Sequence, residues 1–482
     1  MEILPNKAAV GPALLPLLVI LVSALVSGAQ GFIPSACITN ATRPGINGMC
    51  CPRHPTNFQV CGGPGRGHCV QVAPCVENIP EVFLIDDRVA FPSRFFNYTC
   101  ECEPNFWGPA CEECNFNRKG PDCQEERMCT RRNVMTLSRE EQKQFQRIFY
   151  LSYFEKSGYH IVVEDDPAFV DPIDEIQMVE AHVHYLMNCI HKFSSRSTVF
   201  NNDNNNQMCS QFGILDFSHG SCAFVPWHRY LTLLWERFFA KIAKKEYGHD
   251  DWCMPYWNWI DQADCDVCHD DLACASGEAD QYGVRLSRNC PFYNFREYCT
   301  EPTETNSQWG ECFTCHSSTQ FGYLTRQKRQ ECPLPRQWEV ERIMQLTEFT
   351  TPNDRDDQQG GGCASFAAAV EGSCKYRTGD DFPATHNLVH VCFDGSMCCG
   401  STANSDILFP LHHCTVDWLV AIWQRTHGSG PQLIPNSGCR PGHHRECYLT
   451  GIMPLKRVGE LMGTTETYGY NYDSYEVRPT RT

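Results

Sequence analysis

Apolar positions recur at helical spacing along four stretches of this chain, and histidines lie on or beside each of them. Between Asp174 and Phe193 the residues Ile176, Val179, Val183, Met187 and Ile190 fall three or four apart, which predicts an amphipathic helix. Pro226 to Lys244 predicts a second, with Pro226 in its first turn, where a missing N–H costs little. Asp381 to Cys392 predicts a third. Ser405-Asp406 caps a fourth, running through Trp418 to about Arg425. Ahead of these, Ser138-Arg-Glu-Glu141 has the form of a capping box and predicts a helix through Tyr150. The expected fold class is mainly α, with the four histidine-bearing helices forming a four-helix bundle around a dinuclear metal site.

The rest of the chain reads differently. Residues 30–130 are rich in Cys, Gly and Pro and lack helical periodicity. Cys100-Glu-Cys102, Phe106-Trp-Gly-Pro-Ala-Cys111 and Lys119-Gly-Pro-Asp-Cys123 look like tight loops closed by disulfides, as in an EGF-like module. Residues 250 to 375 read as a disulfide-pinned excursion within the helical domain, and Asn201 to Asn206 as a polar loop. The expected organisation is a signal peptide over 1–29, the Cys-rich module over 30–130, the metal-binding domain over 131–467, and a Tyr-rich polar tail over 468–482 with the composition of a disordered end.

Composition narrows the setting. Of 32 cysteines, 12 lie between Cys37 and Cys129, a density that belongs to an oxidising compartment. Lys7 precedes an apolar run from Leu14 to Val26 that ends in Ser27-Gly-Ala29, the pattern of a secretory signal peptide. The run is short for a bilayer span, and no later stretch is long enough. Asn40-Ala-Thr42 and Asn97-Tyr-Thr99 are glycosylation sequons, which fits a secreted protein or the lumen of an organelle of the secretory pathway. A net charge of -17 without a basic stripe excludes nucleic acid as a partner.

The chemistry lies in the histidines. His386 and His390 are four apart, so both rings share one helix face one turn apart and can converge on one ion. His413 comes from the next helix. On the other side His219 and His228 flank the start of one helix, and His182 or His184 comes from the helix before. His182 and His184 are two apart, so on a helix their rings point about 160° apart and only one can be a ligand. His412 points away from His413 for the same reason, and His191 is a further histidine nearby. A lone histidine in an apolar stretch is usually a satisfied core residue; six on matched helices point to two ions. All-imidazole ligation suits copper or zinc, and the lack of Glu-x-x-His argues against a di-iron bundle. Cys265-Asp-Val-Cys268-His269 and Cys312-Phe-Thr-Cys315-His316 match a haem-attachment pattern, but so many cysteines make disulfides the expected outcome.

Asp216-Phe-Ser-His219, Pro226-Trp-His-Arg229, Pro255-Tyr-Trp-Asn-Trp259, His386-Asn-Leu-Val-His390 and Leu411-His-His-Cys-Thr-Val-Asp417 resemble the catalytic core of the tyrosinase family of type-3 copper proteins. Phe106-Trp-Gly-Pro and Arg131-Arg-Asn-Val extend the resemblance over nearly the whole chain. The resemblance implies two copper ions, one held by His184, His219 and His228 and the other by His386, His390 and His413. Tyr185, following His184, favours His184 over His182. It also implies ortho-hydroxylation of monophenols such as tyrosine and oxidation of o-diphenols such as DOPA to o-quinones with dioxygen, in melanin synthesis. Glu371 and Asn387 would hold the water that takes the phenol proton. Phe409 would pack over a ligand ring, and Asp417 would accept from an imidazole. The gap from His184 to His219 is longer than in vertebrate members. Cys222 and Cys414 are expected in disulfides, because a free thiol beside copper is easily oxidised. A dopachrome-tautomerase-like zinc isomerase and a haemocyanin-like oxygen carrier are the rival readings.

Overall fold

The computed structural model describes the chain from Phe32 to Pro479, apart from residues 39–47, 74, 76–86, 94, 164–176, 196–197, 201–213, 221, 281–282, 297–308, 312–322, 331, 352–363, 373–384, 399 and 401. The expected signal peptide, Asn40, the Asn-rich loop, and Cys312 and Cys315 lie outside the described residues. Among the described residues the helices are α1 (Arg139–Leu151), α2 (Val183–Ser195), α3 (Phe224–Tyr247), α4 (Gln337–Met344), α5 (Phe366–Glu371), α6 (Thr385–Phe393) and α7 (Leu408–His427).

Local chemistry accounts for several helix ends. Ser138 and Glu141 exchange side chain-to-backbone bonds at the start of α1, so the capping box forms as the sequence predicts. Gly248 ends α3 in the left-handed region, φ 75°, which a side chain would disfavour. The Asp406 carboxylate accepts the Leu408 N–H (2.8 Å) at the start of α7 and is held in turn by both arms of Arg326. From Leu408 to Val420 every residue of α7 is buried, as expected of a helix apolar on all sides. The packed helix pairs are α3 with α7, α5 with α6, α1 with α3, α3 with α5, α4 with α5, α2 with α3 and α6 with α7. Trp227, Trp235, Trp257, Trp259, Trp418 and Trp423 fill the core between them.

One predicted helix is shorter than its periodicity implies. Gln177–His182 is a strand, antiparallel to Lys156–Val163, whose other edge carries Phe32–Pro34. Val179 is exposed on this strand, so its helical spacing from Val183 marks no buried face, and pairing with the hairpin partner decides. The helix starts only at Val183, where the Tyr185 N–H donates to His182 Nδ1 (3.1 Å).

Disulfides Cys37–Cys50, Cys51–Cys69, Cys61–Cys100, Cys102–Cys111 and Cys114–Cys123 close the N-terminal region on itself. Cys75–Cys447 and Cys129–Cys253 tie it to the helical part. The region packs on α3: Trp107 donates to Tyr230, and Arg237 and Lys241 both pair with Glu113. Cys222–Cys439, Cys265–Cys268, Cys274–Cys290 and Cys332–Cys392 pin the remaining loops. The first haem-like match is therefore a disulfide, as expected.

Two expectations are corrected. Cys414 is a buried thiol, not half of a disulfide, and burial pushes its pKa up to about 12, which suppresses the reactive thiolate. The tail is not a loose end: Tyr470–Tyr472 forms a parallel pair with Cys129–Arg131, and Tyr470 is fully buried. Its aromatic rings find apolar cover while their hydroxyls find a buried acceptor, Asp417. No helix among the described residues is long and apolar enough to cross a membrane.

Candidate metal centre

Two groups of histidines meet where α2, α3, α6 and α7 converge. In one, single ring nitrogens of His386, His390, His412 and His413 lie within 4.8 Å of one another. In the other, those of His191, His219 and His228 do. The groups adjoin: the His228 ring stacks on that of His413, with centroids 4.4 Å apart and planes 11° apart.

Proton positions follow from the partners of each ring. His386 Nδ1 faces two acceptors, Asn387 Oδ1 (2.9 Å) and the Glu371 carbonyl (3.2 Å). His390 Nδ1 faces the Met397 carbonyl (2.7 Å). Each neutral ring therefore carries its proton on Nδ1 and leaves a lone pair on Nε2. Those two Nε2 atoms are 3.0 Å apart, and His386 Nε2 is 3.3 Å from His413 Nε2. Lone pairs aimed at one another repel, so with the protons on Nδ1 this geometry suits a cation between them. Burial, and then the neighbouring imidazoles, hold His386 and His413 well below the ordinary histidine pKa, and burial brings His390 down to about 4. A proton is thus a poor occupant of the space, and a soft divalent or monovalent metal is a good one.

His412 differs from its three neighbours. Trp259 Nε1–H donates to its Nδ1 (3.0 Å), so its proton must sit on Nε2. A neutral ring in that state has no lone pair left for a metal. His412 does not point away from His413 as the helical spacing implied: its ring lies 5.2 Å from that of His413 and 4.9 Å from that of His386, and the tautomer is what sets it apart.

The other group shows the same signature. His228 Nδ1 faces the Phe224 carbonyl (2.9 Å), and its buried Nε2 has no hydrogen-bond partner. His219 Nδ1 donates to Asp216 Oδ2 (3.0 Å). Burial opposes charge on both members of that pair, but their attraction prevails: the Asp216 carboxyl is held well below the usual carboxylate range and the His219 pKa is raised. Both nitrogens of His191 are buried without a hydrogen-bond partner. Orphaned buried nitrogens converging on one point are the mark of a metal site.

His184 is not part of this group, which corrects the sequence reading. Its ring stacks on Tyr153 at 3.7 Å, its Nε2 faces the Ser405 carbonyl (3.1 Å), and Asn188 Nδ2 lies 3.3 Å from its Nδ1. It is a satisfied core histidine. His191 is seven residues on, two turns along the same face of α2, and occupies the expected place. That i, i+7 relation was legible in the sequence; the choice between two histidines on one face was not.

Glu371 sits between the groups. Its backbone carbonyl faces His386, and its Oε1 accepts the Gly220 N–H (2.5 Å) next to His219. Burial pushes its carboxyl up to about 7, against the pull of His219 and the Gly220 N–H. Phe409 lies 4.1 Å from the His413 ring and 5.0 Å from that of His191, so it packs against both groups. Asp417 is placed elsewhere, a second correction. It accepts from Arg131, Arg229, Tyr470 and Tyr472, and no imidazole is among these partners. The two buried guanidinium groups supply charge that a neutral imidazole cannot, and they claim the carboxylate.

Fold and site together define a disulfide-rich helical protein with two adjoining histidine clusters, each able to hold a metal ion. The model of the common central domain of tyrosinase matches residues 177–426. The chain belongs to the tyrosinase family, and its disulfide-rich helical core is the tyrosinase-type fold. Tyrosinase of Oryzias latipes is 31% identical over 88% of this chain and 77% of its own length. Tyrosinase of Felis catus is 29% identical over 92% of this chain and 82% of its own. Among solved structures, a polyphenol oxidase from Thermothelomyces thermophila is similar at a TM-score of 0.46 and 16% identity, covering 72% of this chain and 89% of that one.

Proposed function

We propose that this chain is a dicopper monophenol monooxygenase and catechol oxidase of the secretory pathway, acting on small phenols such as tyrosine and DOPA. The observation that carries the reading is the meeting of two adjoining histidine groups, with Nε2 atoms facing one another in the second and orphaned buried nitrogens in the first. His191, His219 and His228 would hold one ion, and His386, His390 and His413 the other. The bound copper pair supplies the activation of dioxygen and the exchange of electrons with the phenol. Each monophenol with one dioxygen gives one o-quinone and one water; two catechols with one dioxygen give two o-quinones and two waters.

The chain's own residues do the rest. The Nδ1 partners of His219, His228, His386 and His390 fix the tautomers and aim the rings. Glu371, with its pKa near neutrality, is suited to take the phenol proton through a water, and Asn387 orients His386 and that water. Phe409 and the stacked His228–His413 pair give the site an apolar wall. The four helices α2, α3, α6 and α7 form the bundle, and residues 30–130 form an EGF-like module. Asn97, exposed on its loop, is suited to glycosylation. Residues 1–29 are the export signal.

Metal analysis combined with turnover tests this reading. Two coppers per chain, with quinone formed from both L-tyrosine and L-DOPA, is the expected result. Two zinc ions without quinone formation would point to an isomerase instead, and reversible oxygenation without quinone to an oxygen carrier.

A further inference from the structure

Arg88 belongs to a single turn, Asp87–Ala90, in the N-terminal region, outside the stretch matched by the central tyrosinase domain. It is nonetheless 1% exposed. Its Nη1 donates to the carbonyls of Phe193 (3.2 Å) and Ser194 (3.1 Å). These are last-turn carbonyls of α2, which have no partner within the helix. His191 lies on the same turn.

The same guanidinium reaches the segment that carries His219. The Ser194 carbonyl also accepts the Phe217 N–H (2.9 Å), and the guanidinium carbon sits 4.9 Å from the Phe217 ring centroid. Asp216, beside Phe217, holds His219 Nδ1. One buried cation thus joins the end of the helix bearing His191 to the loop bearing His219. Burying a guanidinium is expensive unless its hydrogen bonds are met; here two carbonyls at the end of α2 accept from Nη1, and the Phe217 ring of the His219 segment packs against the guanidinium.

We infer that Arg88 is a positioning residue that sets the separation of His191 and His219, so that the N-terminal region completes the first metal site. The inference rests on the reading of the two trios as copper sites. It makes the Cys-rich region, tied down through Cys75–Cys447, part of the metal chemistry and more than a folding accessory.

The test is copper(I) titration of the metal-stripped full chain against a chromophoric chelator. Wild type should take two equivalents; if it does not, the reading of the trios fails, independently of Arg88. In Arg88→Gln one equivalent should keep wild-type affinity and the other should weaken by about 10- to 100-fold, the usual effect of losing an outer hydrogen-bond partner. In a His386→Ala background, where only the first trio remains, Arg88→Gln should weaken the remaining equivalent by the same factor. Arg88→Lys should recover part of the loss, because an ammonium can still donate to one of the two carbonyls. Wild-type affinities at both sites in Arg88→Gln would overturn the inference. So would equal weakening of both sites together with a lowered melting temperature, since that is general destabilisation. If Arg88→Gln gives no folded chain, Arg88→Lys decides by the same criterion: loss at the first trio alone supports the inference, and equal or no loss overturns it.

Discussion

The two trios are built by different means. His386 and His390 share one face of α6, His413 comes from the adjoining α7, and the rings of the α6 pair are aimed by backbone carbonyls and an amide. His191, His219 and His228 come from the end of one helix, a loop and the start of another helix, and a carboxylate aims His219. Two of the three ligands of the second trio are therefore set by local helical spacing, and only His413 is brought in by packing of α7 on α6. The first depends on tertiary packing to bring three segments together, so it has more places at which it can be weakened.

The largest expected effect falls on both trios alike. Replacing His228 or His386 by Ala should remove one copper and lower kcat/KM for L-DOPA by about 10³-fold or more, since several kcal/mol of metal stabilisation are lost. Retention of activity by either variant would break the pairing of the trios.

Asp417→Asn comes next, and it should touch stability and leave both metals in place. It leaves Arg229 buried without its carboxylate partner, while Arg131 keeps Glu236 (2.9 Å), a loss on the order of 3–5 kcal/mol in denaturant unfolding. Burial would raise the Asp417 pKa, but Arg229 and Arg131 together with the Tyr470 and Tyr472 hydroxyls hold it below the ordinary aspartate value of 3.8. The folded-state pKa is depressed, so this stabilisation is present above that value and is lost as pH falls through the lowered one. Loss of a copper in Asp417→Asn would restore the role that the sequence suggested for it.

Asp216→Asn should sharpen the contrast between the trios. It should weaken copper at the first trio by about 10- to 100-fold and leave the second unchanged. A pH titration of the metal-free chain gives a smaller signal. The second-trio histidines have lowered pKa values, so the neutral forms stabilise the fold above 6.5. That contribution should fade as pH drops towards the value of about 4 reached by His390. Chemical denaturation at pH 7 and pH 5 measures it. The smallest change is expected for His412→Asn, which should keep both coppers because Trp259 already commits that ring to the wrong tautomer. Loss of a copper there would place His412 among the ligands.

What was legible in the sequence follows the same division. The i, i+4 pair His386 and His390, the capping box at Ser138 and the Pro226 helix start are local signals, and the structure brings these residues where local rules put them. His184 against His191 could not be resolved, because two residues two turns apart present the same helix face and only tertiary contacts choose between them. Asp417 was misassigned for a related reason. Its spacing from His413 is helical, but its partners Arg131, Arg229 and Tyr472 come from distant segments. The strand at Gln177–His182 and the burial of Tyr470 likewise depend on pairing with residues far along the chain. Of the cysteines, spacing predicted a disulfide framework but not that Cys414 would remain a thiol.

The most direct test of the account compares copper content in His191→Ala and His184→Ala, each purified as the full chain. The structure predicts one copper per chain for His191→Ala and two for His184→Ala. One copper in His184→Ala with two retained in His191→Ala would contradict it.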